Sequence, residues 1–181
     1  DDLAAYAARW SEPVATPWLG LRFLSRGGLT GVSSSLARLR ALHGLPPSER
    51  LLALVEALDG GAGPETHTTN LVAVDVDGNA CVLTSSLGLG SGDWLPGLDL
   101  HLNSMLGEAD LVRAPLRPGA RMESMMAPTL ALDGDRLELA LGAAGGTRLR
   151  TALVGVLQAV LGESIAPQTA IDRPRFHPVG P

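Results

Sequence analysis

The chain has no lysine: all 14 of its basic residues are arginine, set against 19 acidic ones for a net charge of −5. A polybasic nucleic-acid arm and the lysine of a P-loop are thereby excluded, and nucleic acid is not an expected partner. The single cysteine, Cys81, excludes an internal disulfide framework and leaves the redox compartment open. No apolar run reaches the length of a membrane span, no signal peptide is visible, and internal repeats and low-complexity tracts are absent. His43, His67, His101 and His177 lack metal-ligand spacing, and Asp75-Val76-Asp77-Gly78 lacks the remaining ligands of a calcium loop. No metal and no other cofactor is expected. What the chain does have is 181 residues at 45% hydrophobic content, enough for one respectable core.

Asp2 caps a short helix, and Pro13 and Pro17 keep the segment up to Gly20 turned or extended. Residues 21–24 read as a strand. Ser33, Ser34 and Ser35 offer caps for a helix with Leu36, Leu39 and Leu42 on one face. Pro46-Pro47 open a second helix in which Leu51, Leu52, Val55 and Leu58 recur at helical spacing. Residues 60–64, rich in glycine, suit a processing linker or an ordinary loop equally. Residues 68–76 and 79–87 form a hairpin around Asp77-Gly78, a dipeptide that tolerates positive φ. Neither face of these strands is polar throughout, which predicts a sheet covered on both sides. After a Gly-rich loop over 88–99, a short strand over 100–103 and an irregular stretch over 113–121, a second hairpin turns at Asp133-Gly134. It leads through Gly145-Gly146 into the strongest helix, opened by Thr147, lined by Leu149, Leu153, Val156, Leu157 and Val160, and stopped at Gly162. A shorter helix ends near Asp172.

Thr68 is the residue with chemistry to offer. A threonine hydroxyl is a weak nucleophile without an adjacent base, and an N-terminal threonine carries one in its own α-amine, whose unperturbed pKa is about 8. Taken alone, Thr68 and Thr69 read more readily as β-branched residues opening a strand.

More than the pair is present. From Thr68 onward the strings TTNLVAVDVDGNACVLTSSLGLGSG, LHLNSMLGE, SMMAPT, LGAAGGTR and AIDRPRFHP resemble, in that order, the small subunit of γ-glutamyltranspeptidases, which are N-terminal-nucleophile hydrolases. Residues 1–67 look like the end of the family's large subunit, and residues 68–181 like most of the small one, together one structural domain. A start at Asp1 rather than Met suggests a fragment or processed product. The fold so implied is α+β, a reduced version of the αββα four-layer sandwich, with both hairpins in the central sheets and the Thr147 helix covering one of them.

The resemblance implies cleavage between His67 and Thr68, then cutting of an amide through an acyl-enzyme on Thr68. The donor would be a small-molecule amide or γ-glutamyl compound, the acceptor an amine or water, and a missing large-subunit segment would complete the site in cis or in trans. Gly145 and Gly146 match the glycine pair that stabilises the oxyanion, and Ser86 a hydroxyl that supports the nucleophile. Ser124 matches the first of two donor-binding serines, and Glu108 stands near the place of a donor-binding acid. Without the resemblance, these residues read as a tight turn, a strand hydroxyl, a turn former and a solvated charge. Two positions depart from the family, Met125 at the second serine and Gly88 at a donor-binding asparagine, and no arginine matches the one that holds a γ-glutamyl group. The departures predict a more apolar, roomier pocket. The reading from a different class is an unprocessed, non-catalytic binding or scaffold subunit.

Overall fold

Pro17 keeps the first segment out of a helix, and the segment forms an edge strand, β1 (Val14–Trp18), where the missing N–H of proline costs no ladder bond. In the computed structural model, which describes residues 2–58, 67–112 and 114–179, β1 follows a short helix α1 (Asp2–Ala5). It turns through Leu19 and Gly20, both at positive φ, into β2 (Leu21–Ser25). Next come α2 (Val32–Arg38), α3 (Pro47–Ala57) and a hairpin of β3 (His67–Val74) and β4 (Ala80–Gly88). A small ribbon, β5 (Trp94–Leu95) with β6 (Leu100–His101), precedes a second long hairpin, β7 (Thr129–Asp133) with β8 (Arg136–Leu141). Helix α4 (Leu149–Leu157) runs on into a π-helical turn (Gln158–Gly162), and α5 (Pro167–Asp172) follows. The main sheet is antiparallel in the order β1-β2-β7-β8. Among the described residues no helix is long and apolar enough to cross a membrane.

Alternation along the strands turns one stripe inward. Trp18, Phe23 and Ala131 face Val32, Leu36, Ala53, Ala57, Leu153, Val154 and Leu157 from the helices, and these form the core. The Trp18 ring meets Phe23 edge-on at 5.6 Å and its indole N–H donates to the Leu39 carbonyl at 2.9 Å, so the one polar atom of this buried ring is satisfied. At the end of the β2–β7 ladder the buried Thr129 hydroxyl lies within hydrogen-bond distance of Ser25 Oγ (3.2 Å) and of the Ala127 carbonyl (3.0 Å), its single proton serving one of them at a time. That knot fixes the chain just downstream of Ser124.

Three expectations need correction. The serines 33–35 do not cap α2; Gly31, at φ 64°, takes that place, and Ser35 is buried inside the helix. Helix α3 buries Ala53 and Ala57, leaving Leu51, Leu52 and Val55 exposed, because the small side chains bring it closer to its neighbours. Its predicted apolar face is therefore mostly its outer one. The β3–β4 hairpin is a separate two-stranded ribbon, with Leu71 59% and Leu83 54% exposed, although β4 runs beside β8. The second hairpin joins the main sheet as predicted, and the proposed linker lies outside the described residues.

Glu163 fastens the C-terminal region to α3 through ion pairs with Arg50 and Arg173, the latter at 2.9 Å. Burial pushes its carboxyl upward, but hydrogen bonds and charge from both arginines outweigh this and hold it below its ordinary 4.5. A carboxyl lowered in the folded state adds stability above its unfolded pKa and loses it as the pH falls through the folded one. Glu163→Gln should therefore cost on the order of 1 kcal/mol at pH 7 and flatten the loss of stability below about pH 4.5, as read from urea midpoints across pH. Parallel pH profiles for the two proteins would contradict this.

Candidate active site

The β3–β4 ladder sets Thr68 opposite Ser86. Period-two alternation turns Thr68 and Asn70 to the half-buried side and Thr69 outward. Thr68 Oγ1 donates to Ser86 Oγ at 3.3 Å, and that oxygen also accepts the Gly88 N–H at 3.0 Å. Beside this pair the register slips. His67 pairs with Gly88 and Thr68 with Ser86, so Leu87 is the extra residue of a bulge opposite the His67–Thr68 peptide bond.

Three loops close over the hydroxyl pair. Gly88, at φ 66°, turns β4 into the glycine-rich loop, where Ser104 Oγ accepts the Leu89 N–H at 2.9 Å and the Ser104 N–H donates to the Leu87 carbonyl at 2.9 Å. These bonds bring Met105 and Glu108 to the end of the ribbon. The second loop carries Ser124, whose hydroxyl accepts the Met126 N–H at 3.1 Å and whose carbonyl accepts from Arg26 at 3.3 Å. In the third, Gly145 takes φ 131° and Gly146 offers its carbonyl to the Leu149 N–H at 3.2 Å. Among the described residues neither glycine N–H of this pair has an acceptor.

Thr68, Ser86, Glu108, Ser124, Met125, Gly145 and Gly146 all line one cleft, with Met105, Leu111, Met126 and Leu149. Of the residues singled out in the sequence, Gly88 stands just behind this wall and His67 beyond the bulge. Glu108 Oε1 is buried, so the solvated-charge reading of Glu108 is corrected. The pocket is apolar, as the departures at 88 and 125 imply, but it is not roomy: its volume is about 20 Å³, space for roughly one water.

Sequence reasoning passed over Asn70 and the extra methionines. Asn70 Oδ1 accepts from Thr84 at 2.8 Å, and its amide lies against Gly142, where a Cβ would collide with it, so it ties β3 to the chain that leads to the glycine pair. The signal was available: Asn70 is a polar residue two positions after Thr68 and so on the same face of the strand.

A solved structure of an acivicin-inhibited γ-glutamyltranspeptidase matches with a TM-score of 0.55 at 25% identity, over 60% of this chain and 66% of that one. The fold is thus α+β, of the N-terminal-nucleophile hydrolase class, seen here in part. The γ-glutamyltranspeptidase family model matches residues 56–180, and the chain belongs to that family. Among curated relatives, the glutathione hydrolase proenzyme of Pseudomonas sp. (strain A14) is 28% identical over 131 residues, covering 62% of this chain and 22% of the relative. Glutathione hydrolase proenzyme 1 of Schizosaccharomyces pombe is 30% identical over 131 residues, covering 63% of this chain and 20% of the relative. The chain spans about a fifth of the length of these relatives.

Gly88 offers a direct test of the site's geometry. A Cβ there would collide with the Glu108 carboxylate and lie 2.6 Å from Ser104 Oγ, at a φ that L-residues rarely adopt. Gly88→Ala should cost about 1–3 kcal/mol by chemical denaturation. Gly88→Asn should do no better, since asparagine tolerates the φ but not the crowding. A neutral effect of either would mean that Glu108 does not close over Gly88.

Proposed function

We propose that the chain is the Thr68-bearing part of a γ-glutamyltransferase-like amidase and acyltransferase. Residues 68–181 would be its catalytic piece and residues 1–67 the end of the piece before it. A large-subunit-like segment, in the same polypeptide or another, would complete the site. The observation that carries this reading is the hydrogen-bonded Thr68–Ser86 pair on the wall of a cleft shared with Gly145 and Gly146.

In this reading the His67–Thr68 bond is cut first, by the Thr68 hydroxyl acting on its own preceding carbonyl. The oxygen takes the acyl group in place of the nitrogen, which is left as a free α-amine, and water then hydrolyses the ester, releasing the His67 carboxylate and restoring the Thr68 hydroxyl. The bulge beside that bond supports the reading, because a strand irregularity leaves the peptide outside a continuous ladder. In turnover the freed α-amine takes the Thr68 proton as Oγ1 attacks the donor's carbonyl carbon. Collapse of the tetrahedral intermediate breaks the C–N bond and returns that proton to the leaving amine. Water or a second amine then attacks the Thr68 ester and restores the hydroxyl. The N–H groups of Gly145 and Gly146 would hold the oxyanion, each such donor being worth roughly 3 kcal/mol. Ser86 would hold Thr68 Oγ1 in line, and Ser124, Met125 and Glu108 would contact the donor, with Gly88 behind Glu108.

Substitution at Thr68 tests the proposal. Thr68→Ala should leave the chain uncut by intact mass and without turnover, whereas Thr68→Ser should be cut and keep part of the rate, since a hydroxyl remains. A Thr68→Ala protein that turns over at the normal rate would defeat the assignment.

A further inference from the structure

Gly142 and Gly145, both between β8 and α4, are glycine for different reasons. Gly145 takes φ 131°, a conformation that calls for glycine whatever surrounds it. Gly142 takes no positive φ, and glycine is needed there for room: a Cβ would collide with Asn70 Oδ1 and stand 2.5 Å from Asn70 Cγ and 2.9 Å from Asn70 Nδ2. The whole amide group of Asn70 is therefore seated on the Gly142 backbone. Thr84, opposite Asn70 in the ladder, holds that amide by donating its hydroxyl to Oδ1 at 2.8 Å.

The place of this contact gives it reach. Asn70 is two residues from Thr68 on the same face of β3, a rise of about 7 Å. Gly142 directly follows β8 and is three residues from Gly145, a span of at most about 10 Å. The ribbon that carries Thr68 thus touches the chain that delivers the glycine pair just before the pair itself. The contact is also stiff. Gly142 has no side chain to repack, so a change in the size of residue 70 is taken up by backbone and not by a rotamer.

We propose that Asn70 is a positioning residue: seated on Gly142 and held by Thr84, it sets the distance from Thr68 Oγ1 to the N–H groups of Gly145 and Gly146. Its effect on the reaction rests on the acyl-transfer reading, whereas the joint itself is tested without turnover. An oxyanion forms only on the way through the transition state, so an error in this distance lowers kcat and leaves ground-state binding nearly as it was. A misplacement of about 1 Å is enough to cost on the order of a hundredfold.

The full chain, labelled with ¹⁵N at glycine, is compared with Asn70→Ala, Gly142→Ala and the double variant. In Asn70→Ala the amide signals of Gly145 and Gly146 should move, while that of Gly20, in the turn between β1 and β2, stays in place. Gly142→Ala should lower the melting temperature of the otherwise unaltered chain, and lower it much less when Asn70→Ala has vacated the space its Cβ needs. With a γ-glutamyl anilide, Asn70→Ala should reduce kcat about ten- to a hundredfold and change KM less than about threefold. Asn70→Asp, which keeps the shape and the acceptor for Thr84, should restore most of kcat. Unmoved Gly145 and Gly146 signals in Asn70→Ala, an equal melting loss from Gly142→Ala with and without Asn70→Ala, or a change in KM at constant kcat would overturn the proposal. Moved signals and unequal melting losses, in a chain that neither cleaves at the His67–Thr68 bond nor turns over the anilide, would support the joint and count against the acyl-transfer reading instead.

Discussion

The arrangement depends on one register. Pairing of β3 with β4 sets Thr68 against Ser86, and the slip beside it turns Gly88 inward, so that one hydroxyl oxygen accepts from both Thr68 Oγ1 and the Gly88 N–H. A shift by one residue would send Thr68 to the exposed face and bring Thr69 in. Two features hold the register. At the closed end of the hairpin Asp75 accepts from the Asp77 and Asn79 N–H groups, at 3.0 and 2.8 Å, and Gly78 supplies φ 85°. Partway along, the Asn70–Thr84 bond fixes the inward face against Gly142.

The rest of the chain serves to bring loops to that ribbon. The sheet and its helices bury the core, and the end of the β2–β7 ladder is where Ser25, Thr129 and Pro128 anchor the segment leading back to Ser124. From β8 the chain passes the ribbon at Gly142 and reaches Gly145, whose φ of 131° only glycine adopts readily, before α4 begins. The core and the candidate site are thus built from different parts: the main sheet carries the first, and its loops together with the ribbon carry the second.

Much of this was legible in the residues. Both hairpins were, because Asp77-Gly78 and Asp133-Gly134 announce positive φ and the glycines take it, at 85° and 59°. The grouping of Thr68, Ser86, Ser124, Gly145 and Gly146 came from the order of motifs, which no local pattern alone would have joined. Burial was less legible. Leu51, Leu52 and Val55 have the spacing of a core face, but Ala53 and Ala57 allow closer helix contact, and small side chains give little signal in a hydrophobic pattern. The crowding of Gly88 by Glu108 and Ser104 was hidden as well, since it depends on how a long loop folds back and not on spacing. The small volume of the cleft was not legible either, since Met105 and Met126 line it as well as Met125 and reach it on loops whose course spacing does not give.

The central claim is that Thr68 Oγ1 carries the acyl group. The full chain should be acid-quenched during steady turnover of an anilide and mapped by peptide mass. The account predicts an acyl adduct on the hydroxyl of Thr68, on a peptide that begins at Thr68 with a free amine. An adduct on any other residue, or turnover by a chain in which His67 and Thr68 remain joined, would contradict it.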